Sequence, residues 1–98
     1  MKKYIDKFIE YLKVQKNYSE FTRINYEKDL LEYSEFLKNK NYDYNKMDYK
    51  KCMNYLIYLD DKKYKKNSVS RKLSSLRTFY KFLVLNNYSD NNQFLLIS

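Results

Sequence analysis

The run from Asn67 to Leu83 constrains this chain more than any other stretch. At about 100° per residue, Val69, Leu73, Leu76, Tyr80 and Leu83 fall on one side of a helix. The opposite side carries Asn67, Ser70, Arg71, Ser74, Arg77, Thr78 and Lys81. One face is therefore core, and the other is small, polar and purely cationic. No alternating strand pattern competes with such helical periods anywhere in the chain, so the expected class is all-α.

The charge map sharpens this. Between Lys62 and Ser89 there are eight Lys and Arg (Lys62, Lys63, Lys65, Lys66, Arg71, Lys72, Arg77, Lys81) and no Asp or Glu. The whole chain has 20 cations and 12 anions, so the net +8 resides in this helix and its approach loop. A merely solvated face mixes signs, because opposite charges three and four residues apart support a helix. Excluding acids over this length points to a polyanionic partner, and the short polar and cationic face suits a groove of nucleic acid.

Ninety-eight residues, 44% of them hydrophobic, make one folded domain with a modest core. No apolar run approaches a membrane span, and Asp6, Lys7 and Glu10 interrupt any leader-like pattern, so a cytoplasmic protein with no membrane partner is expected. Cys52 is the single cysteine and histidine is absent. That excludes a disulfide framework and a zinc site of the Cys/His kind, and removes the usual general base. No cofactor or metal is expected, and Cys52 reads as a small buried apolar side chain. Gly, Pro, Trp and Ala are missing while Lys, Asn and Tyr abound. A coding bias towards AT-rich codons explains lysine in place of arginine, but not the missing acids between Lys62 and Ser89.

In chain order, a first helix is expected over about Tyr4 to Gln15 on the stripe Ile5, Phe8, Ile9 and Leu12. After a break at Asn17 and Tyr18, Ser19 caps a second helix to about Lys38, with Glu20 at its positive end. Thr22, Tyr26, Leu30, Tyr33 and Leu37 form its stripe, and only its first two turns, with Thr22, Arg23 and Asn25, suit a face towards DNA. Asp29 reads as a catalytic acid or, in preference, as a structural hydrogen-bond acceptor. Asn39 to Met47 is a loop in which asparagines do the turn work of Gly and Pro. Asp48 caps a third helix to about Leu59, with a Met47 to Cys52 staple and Cys52, Met53, Leu56 and Leu59 inside. Asp60 to Lys66 leads to the fourth helix, capped by Asn67 or Ser68 and fraying near Asn86. The apolar tail Gln93 to Ser98 is expected to dock somewhere and to continue into further protein.

Ser19, Thr22, Tyr26, Asp29 and Leu30 resemble the Ser-x-x-Thr-x-x-x-Tyr-x-x-Asp-Leu signature of tyrosine recombinases. Ser68, Arg71, Leu73, Ser74, Leu76, Arg77, Phe79, Tyr80 and Phe82 resemble the same family's Arg-x-Leu-Ser-x-Leu-Arg-x-Phe-Tyr-x-Phe helix. In the Xer and phage-integrase group both belong to the N-terminal core-binding domain. The resemblance implies a SAM-like bundle of four main helices with a short C-terminal segment. It places the core-binding domain at residues 1–92 and the start of a linker to a catalytic domain at 93–98. The family's usual Asn-Pro is here Asn92-Gln93.

The resemblance further implies duplex DNA as the partner, held in a clamp whose second and fourth helices cross the major groove. Carried over by position, Thr22 and Asn25, with Asn67, Ser70, Arg71 and Ser74, would face the groove. Lys66, Lys72, Arg77 and Lys81 would contact phosphates, although Lys72 and Arg77 flank the apolar stripe and alternatively cover it. Catalysis belongs to the domain that follows, so no catalytic residue is expected here and the chain alone binds without cutting. Other protomers, as a tetramer on DNA at the nucleoid, are the expected protein partners. About six phosphate contacts give a log–log salt slope of roughly −5. Arg71 on a guanine edge, or Asn67 or Asn25 on adenine, adds about 1–3 kcal/mol of discrimination each. The competing readings are a helical protein-interaction module with a basic docking face and a single-strand binder stacking bases on tyrosines.

Overall fold

The structure, a computed structural model, describes residues 1–90 and 92–96. Four helices make the body: α1 (Lys2–Val14), α2 (Glu20–Lys40), α3 (Tyr49–Asp61) and α4 (Lys66–Leu85). Two short 3-10 turns, Tyr44–Lys46 and Gln93–Leu96, complete it. No strand occurs among the described residues, and no described helix is long and apolar enough to cross a membrane. The all-α expectation holds.

Local chemistry sets most boundaries. The Ser19 hydroxyl accepts the Thr22 amide at 3.2 Å and opens α2. The Asp48 carboxylate accepts the Lys51 amide at 2.8 Å and opens α3. Met47 before that cap and Cys52 after it are both buried, as a hydrophobic staple requires. In a chain with no glycine, the left-handed positions fall to Asn17, Asn41 and Asn87 (φ 53°, 58° and 61°) and to Lys63 (φ 62°). Asn41 ends α2, its amide donating to the carbonyls of Leu37 and Lys38.

The start of α4 departs from expectation. Its cap is Lys65, which makes no side-chain cap hydrogen bond, and Asn67 and Ser68 already lie in the first turn. The reason lies in the connector, where Lys63 reverses the chain and the Tyr64 hydroxyl donates to Glu32 at 2.7 Å. With the connector pinned there, α4 begins as soon as the chain is free to wind.

α1, α2 and α4 pack against one another, and α3 is joined to α4 through the Gln93–Leu96 turn. Ile5, Phe8 and Leu12 of α1 are buried, as are Leu30, Tyr33, Phe36 and Leu37 of α2. Leu73, Leu76, Phe79, Tyr80, Phe82 and Leu83 of α4 complete that side. Four stripe residues, Ile9, Thr22, Tyr26 and Val69, are only half-buried. In α3 the core residues are Cys52, Tyr55 and Leu59, while Met53 and Leu56 are half-buried. Phe94 from the apolar tail inserts among Tyr33, Tyr55 and Tyr80 with ring centroids 5.5, 6.5 and 5.7 Å away. Ile97 and Ser98 of the tail lie outside the described residues.

Tyrosine fills volume that leucine or alanine would take elsewhere, and each buried hydroxyl needs a partner. Tyr80 donates to the Tyr44 carbonyl at 2.8 Å, so in the 2.7 Å contact between Tyr33 and Tyr80 it is Tyr33 that donates. Tyr55 is buried with no partner for its hydroxyl.

Candidate nucleic-acid interface

The interface candidates sit on the outer face of α4 and the first turns of α2. Lys66, Asn67, Ser70, Ser74 and Lys81 are exposed along α4. Thr22, Arg23 and Asn25 are half-buried at the start of α2. Thr22 is partly occupied in the helix cap, its hydroxyl accepting from that of Ser19 at 3.0 Å. Arg23 leans back over the preceding loop, its Nε donating to the Tyr18 carbonyl at 3.2 Å. The two helices are laced along their contact by Tyr26 with Thr78, and by Asp29 with Arg71 and Ser75.

Beneath that face lies a buried polar cluster. Asp29 is 1% exposed. Its Oδ2 accepts from Arg71 Nε at 3.2 Å and from Ser75 Oγ at 2.9 Å. Its Oδ1 accepts from Arg71 Nη2 at 2.9 Å and from Lys72 Nζ at 3.3 Å. Asp29 is thus a structural acceptor, the preferred of its two readings. Lys72 Nζ also donates to Glu32 Oε1 at 2.7 Å and sits 4.5 Å from the centroid of the Tyr64 ring. Glu32 Oε2 accepts from the hydroxyls of Tyr64 and Tyr58 at 2.7 and 3.2 Å. Burial alone would raise the Glu32 carboxyl. The hydrogen bonds from Lys72 and Tyr64, the Lys72 charge and the Tyr58 hydroxyl outweigh it and hold the group below the ordinary carboxylate range.

This cluster redraws the charge map. Two of the eight cations between Lys62 and Ser89 face carboxylates across the helix contact, because Asp29 and Glu32, one turn apart on α2, reach Arg71 and Lys72 on α4. Lys72 follows the covering alternative: its side chain is 9% exposed and its ammonium points inward. Arg71 is different, keeping 47% of its side chain exposed while gripping Asp29 from one side. Arg77 donates from Nε to the Phe94 carbonyl at 3.2 Å and so ties α4 to the C-terminal turn. Lys63, Lys65, Lys66 and Lys81 are exposed and make no ion pair among the described residues, and Lys62 lies over the Tyr58 ring at 5.5 Å.

The sequence places Glu32 on the mixed, acidic outer surface of the second helix, whereas the structure turns it onto Lys72; Tyr58, Tyr64 and Ser75 were not singled out. A signal for Glu32 was present: an acid one turn after Asp29, beside the α2 stripe, faces adjacent cations on a helix whose own face has none. The tyrosines gave no such signal, because whether their hydroxyls reach Glu32 depends on how α3 and the connector after it pass α2. Among the described residues no group of three or more His, Cys, Asp and Glu side chains is placed to hold a metal ion. Burial, with the Asp48 charge added, pushes the Cys52 thiol up to about 12, which makes it a poor nucleophile.

Residues 5–87 match the family described as phage integrase, N-terminal SAM-like domain. A protein named tyrosine recombinase XerC from Staphylococcus aureus strain NCTC 8325 is 43% identical over 77 residues, covering 79% of this chain and 26% of the relative. Its namesake from Staphylococcus epidermidis strain ATCC 12228 is 38% identical over 95 residues, covering 97% of this chain and 32% of the relative. The chain therefore spans between a quarter and a third of the length of these relatives. No solved structure matches significantly. With a four-helix bundle in the expected order and a match across most of its length, this chain belongs to the phage integrase N-terminal SAM-like domain family.

Proposed function

We propose that this chain binds duplex DNA through the outer face of α4 and the first turns of α2, as the N-terminal clamp of a site-specific recombinase. The observation that carries this reading is the face itself. Asn67, Ser70 and Ser74 are exposed, small and uncharged, Lys66 and Lys81 flank them, and α4 contributes no acid. Small side chains allow close approach to base edges, and lysines at either end suit phosphates. Relatives named tyrosine recombinases support the assignment to recombination. Strand cutting and rejoining, and assembly with other protomers on DNA, belong in this proposal to the whole recombinase, acting at the nucleoid. The chain alone binds and does not cut.

Within the face, Lys66 and Lys81 supply phosphate contacts, joined by lysines of the α3–α4 connector. Asn67, Ser70, Ser74, Thr22 and Asn25 approach the groove. About five phosphate contacts give a log–log salt slope of roughly −4 to −5. The test is a titration of a fluorescent duplex and its single strand at two salt concentrations. Binding that prefers the duplex and weakens steeply with salt is expected, and Lys66→Ala should weaken all duplexes alike. Absence of duplex binding at low salt, or preference for the single strand, would overturn the proposal.

A further inference from the structure

We infer that Asp29 is a positioning residue for Arg71, fixing that guanidinium so that its outer edge reads a guanine in the major groove; the inference rests on the duplex-binding reading above. The contact is side-on: Arg71 Nε and Nη2 meet Oδ2 and Oδ1 of Asp29 at 3.2 and 2.9 Å. A guanidinium has five N–H donors in a rigid plane. A side-on grip on Nε and Nη2 leaves the Nη1 pair and the second Nη2 hydrogen, and these form the end-on edge that matches two acceptors of guanine. The exposures fit this division. The carboxylate is 1% exposed and the arginine side chain 47%, so the pair straddles the surface with the acid inside.

The carboxylate itself is held. Ser75 Oγ and Lys72 Nζ bond to it from α4 at 2.9 and 3.3 Å, so it does not turn to follow the arginine. Arg71 is thereby ordered before any ligand arrives, and less side-chain freedom is lost on binding. Around it Asn67, Ser70 and Ser74 are exposed and uncharged, so nothing on its own helix competes for the outer edge. A lysine at this position would keep the charge and lose the fork.

The test selects preferred sequences by passing a random-sequence duplex pool over the 98-residue chain. Fluorescent versions are then titrated: a selected duplex, its scramble, and the selected duplex with guanine replaced by an analogue lacking the major-groove ring nitrogen. The wild type should prefer the selected duplex by about 10-fold, and the analogue should abolish that preference. Arg71→Lys should bind the scramble as the wild type does and lose the preference. Asp29→Asn should lose it too, whereas Glu32→Gln, which leaves the Arg71 contact in place, should keep it. Because Asp29→Asn removes a buried charge and threatens folding, the wild type supplies a second readout. Its Arg71 Nε–H resonance, in nitrogen-labelled protein, should be sharp in the free chain and persist in the complex. Loss of that resonance on DNA addition, a folded Asp29→Asn or an Arg71→Lys that keeps the preference, or a wild type with no sequence preference would overturn the inference while leaving duplex binding intact. A wild type that binds no duplex overturns both.

Discussion

At the scale of single residues, the molecule separates side chains that hold the fold from side chains left for a ligand, and neighbours in sequence fall on opposite sides. Lys72 and Arg71 are adjacent, yet one ammonium is enclosed by Asp29 and Glu32 and the other cation stays half outside. Removing the enclosed partner strands buried charge, so Lys72→Ala should lower stability by about 3 kcal/mol in urea unfolding. Lys66→Ala should leave stability unchanged. Tyr55 offers the opposite case. Its hydroxyl is buried and unpartnered, so Tyr55→Phe should raise stability by about 1 kcal/mol, whereas Tyr33→Phe breaks the bond to Tyr80 and should lower it by a similar amount. The helical wheel placed Arg71 outside and left Lys72 beside the stripe with two readings. It did not show which acids would meet them, because such partnerships depend on how α2 and α4 cross.

At the scale of elements, α4 begins in a way that disfavours it in isolation. Its cap is an unbonded Lys65, its first residue is Lys66, and its first turn holds no acid, so positive charge faces the positive end of the helix dipole. α2 and α3 open on Ser19 and Asp48, which shows that this chain uses proper caps elsewhere. A phosphate near the α4 start would relieve the repulsion. Lys65→Asp should therefore raise stability by about 1 kcal/mol while weakening duplex binding, measured by urea unfolding and by titration of the same preparation. Raised stability with unchanged binding would place the α4 start away from DNA. The element order was legible because Ser19, Asp48 and the asparagine breaks act locally. The α4 start was not, because Tyr64 pins the connector to Glu32, 32 residues earlier in the chain and beyond the reach of any local signal. That the apolar tail docks was legible in its run of large apolar residues, but where it docks was not: the pocket of Phe94 exists only once Tyr33, Tyr55 and Tyr80 have come together.

At the scale of the whole molecule, composition sets the pH response. No histidine is present, so stability should be flat between about pH 6 and 8. On the acid side Glu32 is held below its ordinary range, so its contribution is present above about pH 4.5 and is lost as pH falls through its lowered value. The alkaline side is steeper. Burial raises the phenols of Tyr33, Tyr55 and Tyr80 and pushes the Cys52 thiol up to about 12. In each case the native state keeps a proton that the unfolded chain releases. Their stabilisation is therefore complete below the unfolded values, about 8.5 for the thiol and 10 for the phenols, and is lost as pH rises towards the folded ones. Four such groups in one small core predict a cooperative alkaline unfolding, in which the buried tyrosines ionise together with the loss of helix. Tyrosinate absorbance and circular dichroism followed on one sample should show the late phenol transition coincide with the helical one. Ionisation of every tyrosine at the ordinary phenol value with the helices intact would contradict the packing of α3 and the Phe94 turn against α4. Early reaction of Cys52 with an alkylating reagent below pH 9 would locate the opening in α3.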